Sequence, residues 1–85
     1  MNNILVVFAN RNHTMQFASY MRKLAINSKI INTPRDITKA CGISIVIDKK
    51  NIDMVKTILN RFQFSSLVGV YEIVDNGIFR NYRRI

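Results

Sequence analysis

Hydrophobic positions change their spacing several times along the chain, and each change marks an element. Asn3 to Ala9 is an almost unbroken apolar, β-branched run closed by Asn10-Arg11-Asn12. A strand apolar at successive positions is covered on both faces, so this one is expected at the centre of a sheet. From His13 to Ala25 the period lengthens, with Phe17, Ala18, Met21, Leu24 and Ala25 on one face of a helix and Asn12 or Thr14 available to cap its start. Ser28 to Asn32 and Gly42 to Ile47 read as two further strands, the first holding Ile30 and Ile31, the second Ile43, Ile45, Val46 and Ile47. Asp48 to Asn51 introduces a second helix that runs to about Phe62, with Ile52, Val55, Ile58, Leu59 and Phe62 along one face. Leu67 to Val74 is the last expected strand, ended by the turn signal Asp75-Asn76-Gly77.

Strand, helix, strand, strand, helix, strand is the order of the split βαβ or ferredoxin-like arrangement. The expected fold is therefore an α+β sandwich: a four-stranded antiparallel sheet in the order 4-1-3-2 with two helices on one face. Its expected division is a single domain over residues 1–74, followed by a basic C-terminal tail over residues 75–85. In that topology the first two strands run the same way, which places Arg11, Asn12 and His13 on one sheet edge with the connection between the second and third strands. The second helix ends on that edge, bringing Ser65 and Ser66, and the first begins there with the positive end of its dipole. The basic tail is expected to leave the sheet at the opposite end.

Composition narrows the class. A chain of 85 residues is one domain, able to remove about 60–65% of its unfolded surface from water. Its 48% hydrophobic content sets it apart from disordered chains. The longest apolar run, Ile4 to Ala9, is far below the roughly 20 residues that span a bilayer. It has no leader-like flanks, so a cytoplasmic protein with no membrane partner is expected. A lone cysteine makes no internal disulfide, and one cysteine with one histidine falls short of a closed zinc site; neither metal nor cofactor is expected. Net charge is +8 and the pI about 10.3, which favours acidic partners. Only Arg80-Asn81-Tyr82-Arg83-Arg84 concentrates that charge.

The segment with the most chemistry is Thr33-Pro34-Arg35-Asp36-Ile37-Thr38-Lys39-Ala40-Cys41-Gly42. A thiol is nucleophilic as thiolate, and positive charge with partial exposure favours that form. Arg35 and Lys39 supply the charge. Thr33 followed by Pro34 and Asp36 reads as the start of a single helical turn reaching Ala40, and Gly42 as a position whose backbone freedom leaves Cys41 uncrowded. The competing reading is an ordinary connection around a small buried cysteine. His13 is either a capping residue or, with its near-neutral titration, a member of the site. Met15, Met21 and Met54 read as core or rim filler.

The run Ile31 to Ile45, with Thr33-Pro34-Arg35-Asp36-Ile37 followed by Cys41-Gly42-Ile43-Ser44-Ile45, resembles the Pro-Arg-acid-Ile and Cys-Gly-aliphatic signature of a family of small bacterial and archaeal proteins described as selenium/sulfur carrier-like. Phe8 through Leu24 is similar to that family's first strand and helix. The likeness covers about residues 3–74. Thr14 and Ala18 depart from it, and the tail after Asp75 is longer than usual. On charge and position Lys39, Arg11 and His13 are accessory candidates, and the resemblance implies that Cys41 holds sulfur or selenium as a persulfide or selenenylsulfide and passes it on, with Pro34, Arg35 and Gly42 as further signature positions. It implies a chalcogen donor such as a cysteine desulfurase or a selenium donor protein, and an acceptor protein. With no second cysteine to resolve the adduct, a shuttle fits better than a multi-turnover enzyme.

Two other classes stand against this one. Ferredoxin-like sheets bind single-stranded RNA through aromatics on their central strands, but here the first strand offers only Phe8 and the third none. A small-ligand regulatory module, or a homo-oligomer joined through strand edges, is the other alternative.

Overall fold

The computed structural model describes residues 2–37, 42–75, 77 and 80–85. Its elements are β1 (Asn3–Phe8), α1 (Arg11–Lys23), β2 (Ser28–Asn32), β3 (Ile43–Asp48), a 3-10 turn (Lys49–Asn51), α2 (Ile52–Phe62), β4 (Leu67–Asp75) and β5 (Arg80–Arg84). The sheet has the order β2-β3-β1-β4-β5, and every pairing is antiparallel.

The chain is thus α+β with two helices, but the sheet has five strands rather than the four expected. The fifth is the stretch read as a tail. Its register sets Glu72 opposite Arg83 and Asp75 opposite Arg80. The carboxylate of Glu72 bonds both Lys49 and Arg83, and Arg80 pairs with Asp75 at 3.4 Å. Along the sequence these arginines have no acidic neighbour, and only the hairpin brings the acids across. β4 does end at the far end of the sheet, but the chain does not leave the sheet there. It turns back, and Ile85 N–H donates to the Val70 carbonyl at 2.9 Å.

One face of the sheet carries Ile4, Val6 and Phe8 of β1, Ile45 and Ile47 of β3 and Val70 of β4. Phe17, Ala18 and Met21 of α1 and Val55, Ile58 and Leu59 of α2 close on it as one core cluster. Each large apolar side chain buried there contributes on the order of 1.5–3 kcal/mol. The opposite face of β1 is also covered: Leu5 and Val7 are fully buried. Gly69 explains part of that cover. A methyl group there would lie 3.2 Å from Tyr71 Cε2 and 3.3 Å from its hydroxyl, so the tyrosine ring crosses the space the glycine leaves beside Val7.

Both ends of α1 differ from the sequence reading. Asn10, not Asn12 or Thr14, caps it, its side-chain oxygen accepting from the N–H groups of Asn12 at 2.7 Å and His13 at 3.3 Å. At the far end Ala25 takes φ 57, while Ile26 N–H reaches the Met21 carbonyl and Ala25 N–H that of Arg22. That left-handed cap is usually glycine. It stops the helix at Lys23 and leaves Leu24 and Ala25 exposed, off the apolar face where the 3.6-residue period had set them. Of the methionines, Met21 is core, whereas Met15 and Met54 lie exposed. Among the described residues no helix is long and apolar enough to cross a membrane.

Candidate functional site

One edge of the sheet gathers the end of β1, the start of α1, the end of β2, the start of β3 and the α2–β4 connection. Asn10 organises its centre. Besides capping α1, it donates its own N–H to Ser66 Oγ at 3.3 Å, beside Ala9 N–H donating to the Ser66 carbonyl at 2.7 Å. His13 Nδ1 and Ser66 Oγ share a hydrogen bond of 2.6 Å, and the His13 ring rests edge-on against Phe64 with centroids 5.6 Å apart. Phe64 in turn meets Phe8 at 5.2 Å and Phe17 at 6.0 Å. His13 is therefore tied to the α2–β4 side of the edge, through a serine that the topology had brought there. Arg11, the first residue of α1, is exposed.

The connection between β2 and β3 begins with two bonds that hold its ends together. Thr33 N–H donates to the Gly42 carbonyl at 3.0 Å, extending the β2–β3 ladder by one rung. The hydroxyls of Thr33 and Ser44 are 2.5 Å apart, and Ser44 is fully buried. This pair had no signal in the sequence, because its members sit on different strands, eleven positions apart.

Thr33 was expected to cap a helical turn, but its hydroxyl goes to Ser44 instead. The chain makes a turn in which Ile37 N–H donates to the Pro34 carbonyl at 3.1 Å. Pro34 supplies the acceptor, and its lack of an N–H costs nothing there. Arg35 and Asp36, in the middle of the turn, are exposed. Arg35 forms no ion pair or hydrogen bond with the described residues. Gly42 also differs from its expected role: its φ is outside the left-handed region, and a methyl group added to it meets no described atom within 4 Å. Cys41 and Lys39, and with them Thr38 and Ala40, lie outside the described residues.

The turn itself lies over the sheet face opposite the helices. Asp36 and Ile37 line a cleft of about 420 Å³ with Tyr71, Arg80, Asn81 and Tyr82. The hairpin β4–β5 thus shares a surface with the segment that precedes Cys41, although the sequence had placed the two at opposite ends of the sheet. Its arginines are already engaged. Arg83 binds Glu72, Arg80 faces Asp75, and Arg84 Nη2 donates to the Val68 carbonyl at 2.9 Å. The Lys49 hydrogen bond and the charge of Arg83 hold the Glu72 carboxyl below its usual range, against the opposing effect of burial. The Gly77 N–H, then Arg80, does the same for Asp75.

A family model described as "Putative Se/S carrier protein-like" matches residues 3–68, which takes in β1 through the start of β4 and the whole Thr33–Gly42 segment. No curated protein and no solved structure matches the chain.

Proposed function

Because the chain belongs to the family described as Putative Se/S carrier protein-like, we propose that it accepts one sulfur or selenium atom on Cys41 and hands it to an acceptor protein. The observation that carries this reading is the span of the match, which includes the segment from Thr33 to Gly42 in which the only cysteine of the chain sits. The Cys41 thiolate attacks the terminal sulfur of a donor persulfide. A new S–S bond forms as the donor's own S–S bond breaks, and the donor leaves as thiolate with the electron pair. The product is the Cys41 persulfide, with no net oxidation. Attack at selenium of a donor's S–Se group follows the same course and yields the selenenylsulfide. Release reverses the roles: the acceptor's thiolate takes the terminal atom, and Cys41 leaves as thiolate.

Such an exchange is fastest when the attacking thiol has a pKa near ambient pH and can also leave readily. Arg35, exposed and without a partner among the described residues, is the cation best free to favour the anion. Lys39 is a second by sequence position. Pro34 sets the turn that presents Arg35, while Arg11 and His13 add donors to the same sheet edge, and Gly42 follows the cysteine with no side chain. The donor is a cysteine desulfurase or a selenium donor protein. The role is a carrier's rather than a multi-turnover enzyme's.

The test is intact mass after incubation with a low-molecular-weight persulfide. One added sulfur atom, removed by reducing agent and absent from Cys41→Ser, is the expected result. An unmodified wild-type protein, or an equal gain in Cys41→Ser, sinks the proposal.

A further inference from the structure

The sheet has two free edges, and they are defended differently. β5 carries Arg80, Arg83 and Arg84 within five residues. Charged side chains on an edge strand oppose its pairing with another chain. β2, the other edge, carries a single charge, Lys29, and no proline. Its residues are all exposed or half-buried, and Ile30 is 40% exposed. Among the described residues no backbone group of Ser28–Asn32 is bonded on the side away from β3. The edge is thus a five-residue template of unpaired donors and acceptors with an isoleucine at its centre.

We propose that β2 pairs antiparallel with β2 of a second copy about a two-fold axis through Ile30, joining two five-stranded sheets into one. An interface of this kind is isologous, each residue meeting the counterpart its own position dictates. When the axis is normal to the sheet, opposed side chains share a face, so the axis passes through a residue rather than between two. Three centres are available within the strand's interior. On Lys29 the two ammonium groups stand opposite each other, which is destabilising. On Ile31 the ladder sets Ser28 against Pro34, which has no N–H to give.

The centre on Ile30 avoids both faults and uses the whole strand. Ile30 meets its own copy, Lys29 stands opposite the second copy's Ile31, and Ser28 stands opposite its Asn32. Ile30 lies on the helix-covered face, opposite Ile45 in the ladder. Beside it runs a groove of about 480 Å³ between α1 and β2, edged by Ala18, Arg22 and Ile26. The paired isoleucines extend the core into that groove. Each copy keeps its own turn at residues 33–37, on opposite sides of the axis, and the pairing does not rest on the chemistry proposed for Cys41.

Sedimentation equilibrium over a range of concentrations tests this. The wild-type chain is expected to sediment as a dimer. Ile30→Lys, which sets two ammonium groups on the axis, is expected to weaken association by roughly a hundredfold or more. Val74→Lys, changed at a position 42% exposed on an interior strand, is expected to remain dimeric. The register has its own readout in a Cys41→Ser background. There Ile30→Cys forms a disulfide-linked dimer on mild oxidation, since opposed strand residues lie within disulfide reach, and Val74→Cys does not. A monomer at every concentration overturns the proposal, and so does a dimer that Ile30→Lys leaves intact.

Discussion

Strand β5 and the turn between β2 and Ile37 are both short, both carry arginine and both approach the same face of the sheet, yet their cations do opposite work. In β5 the arginines are consumed by the fold: Arg83 meets Glu72, Arg80 meets Asp75 and Arg84 meets the Val68 carbonyl. In the turn, Arg35 is presented to solvent with no partner among the described residues. A guanidinium already matched by a carboxylate adds little field to a neighbouring thiol. An unmatched one keeps its charge available. Arg80 and Arg83 are therefore structural, and Arg35 is the candidate for chemistry.

The sharpest way to break this comparison is to remove the acid that makes β5 a strand. Glu72→Gln leaves Lys49 and Arg83 without their shared carboxylate, and a fall in melting temperature at neutral pH is expected, the largest effect considered. Its pH dependence carries the diagnosis. Because the folded-state pKa of Glu72 is depressed below 4.5, its contribution is fully present above that value and is lost as pH falls through the folded-state pKa. Wild type and variant should therefore differ at neutral pH and converge in acid. A gap that stays constant with pH would show that β5 does not depend on this carboxylate.

Next comes the bond that closes the base of the connection. Thr33→Val keeps the shape of the side chain but strips its hydroxyl, leaving buried Ser44 without its partner. An unsatisfied buried hydroxyl costs about 1–3 kcal/mol, measurable as a shift in the urea midpoint at constant slope. Ser44→Ala in the Thr33→Val background should recover part of that loss, since no buried donor is then stranded.

Arg35→Ala takes the comparison to the other side. With no partner to lose among the described residues, stability should change by less than about 0.5 kcal/mol. Alkylation of Cys41 at neutral pH should slow, because less positive charge is left to favour the thiolate. Arg83→Ala should do the reverse, lowering stability and leaving alkylation alone. If the two variants exchange phenotypes, the assignment of structural and chemical cations is inverted.

These contrasts also mark what a sequence reading can reach. β1, β3, β4 and α2 were legible because burial imposes a period, and the period survives in the apolar residues alone. The central place of β1 followed from its apolar residues at successive positions, and Leu5 and Val7 are indeed buried on the face away from the helices. β5 was hidden because a strand of arginines has no apolar period. What makes it a strand is the register to Glu72 and Asp75, a property of the hairpin rather than of the segment. The end of α1 was hidden for a related reason: Ala25 fills a left-handed cap that sequence reasoning looks for in glycine. In the candidate site the turn at Pro34 was legible as an interruption but not in its form, because Thr33 had two possible partners and only the β2–β3 ladder brings Ser44 within reach.

Gly42 is where the smallest effect is expected and where the sequence reading is most directly at stake. A glycine after a candidate cysteine suggests a backbone that only glycine can adopt. Its φ lies outside the left-handed region, and its missing side chain leaves open space among the described atoms. Alanine at such a position loses less entropy on folding than glycine and stabilises by about 0.4–1 kcal/mol when the native backbone suits it. Gly42→Ala should therefore melt at or slightly above the wild-type temperature. Gly77→Ala, at φ +90, should melt below it, because that backbone is strained for any side chain. If Gly42→Ala instead loses both stability and alkylation at Cys41, the glycine is needed for the geometry of the thiol, and the division between structural and chemical positions runs one residue closer to β3 than the backbone angle indicates.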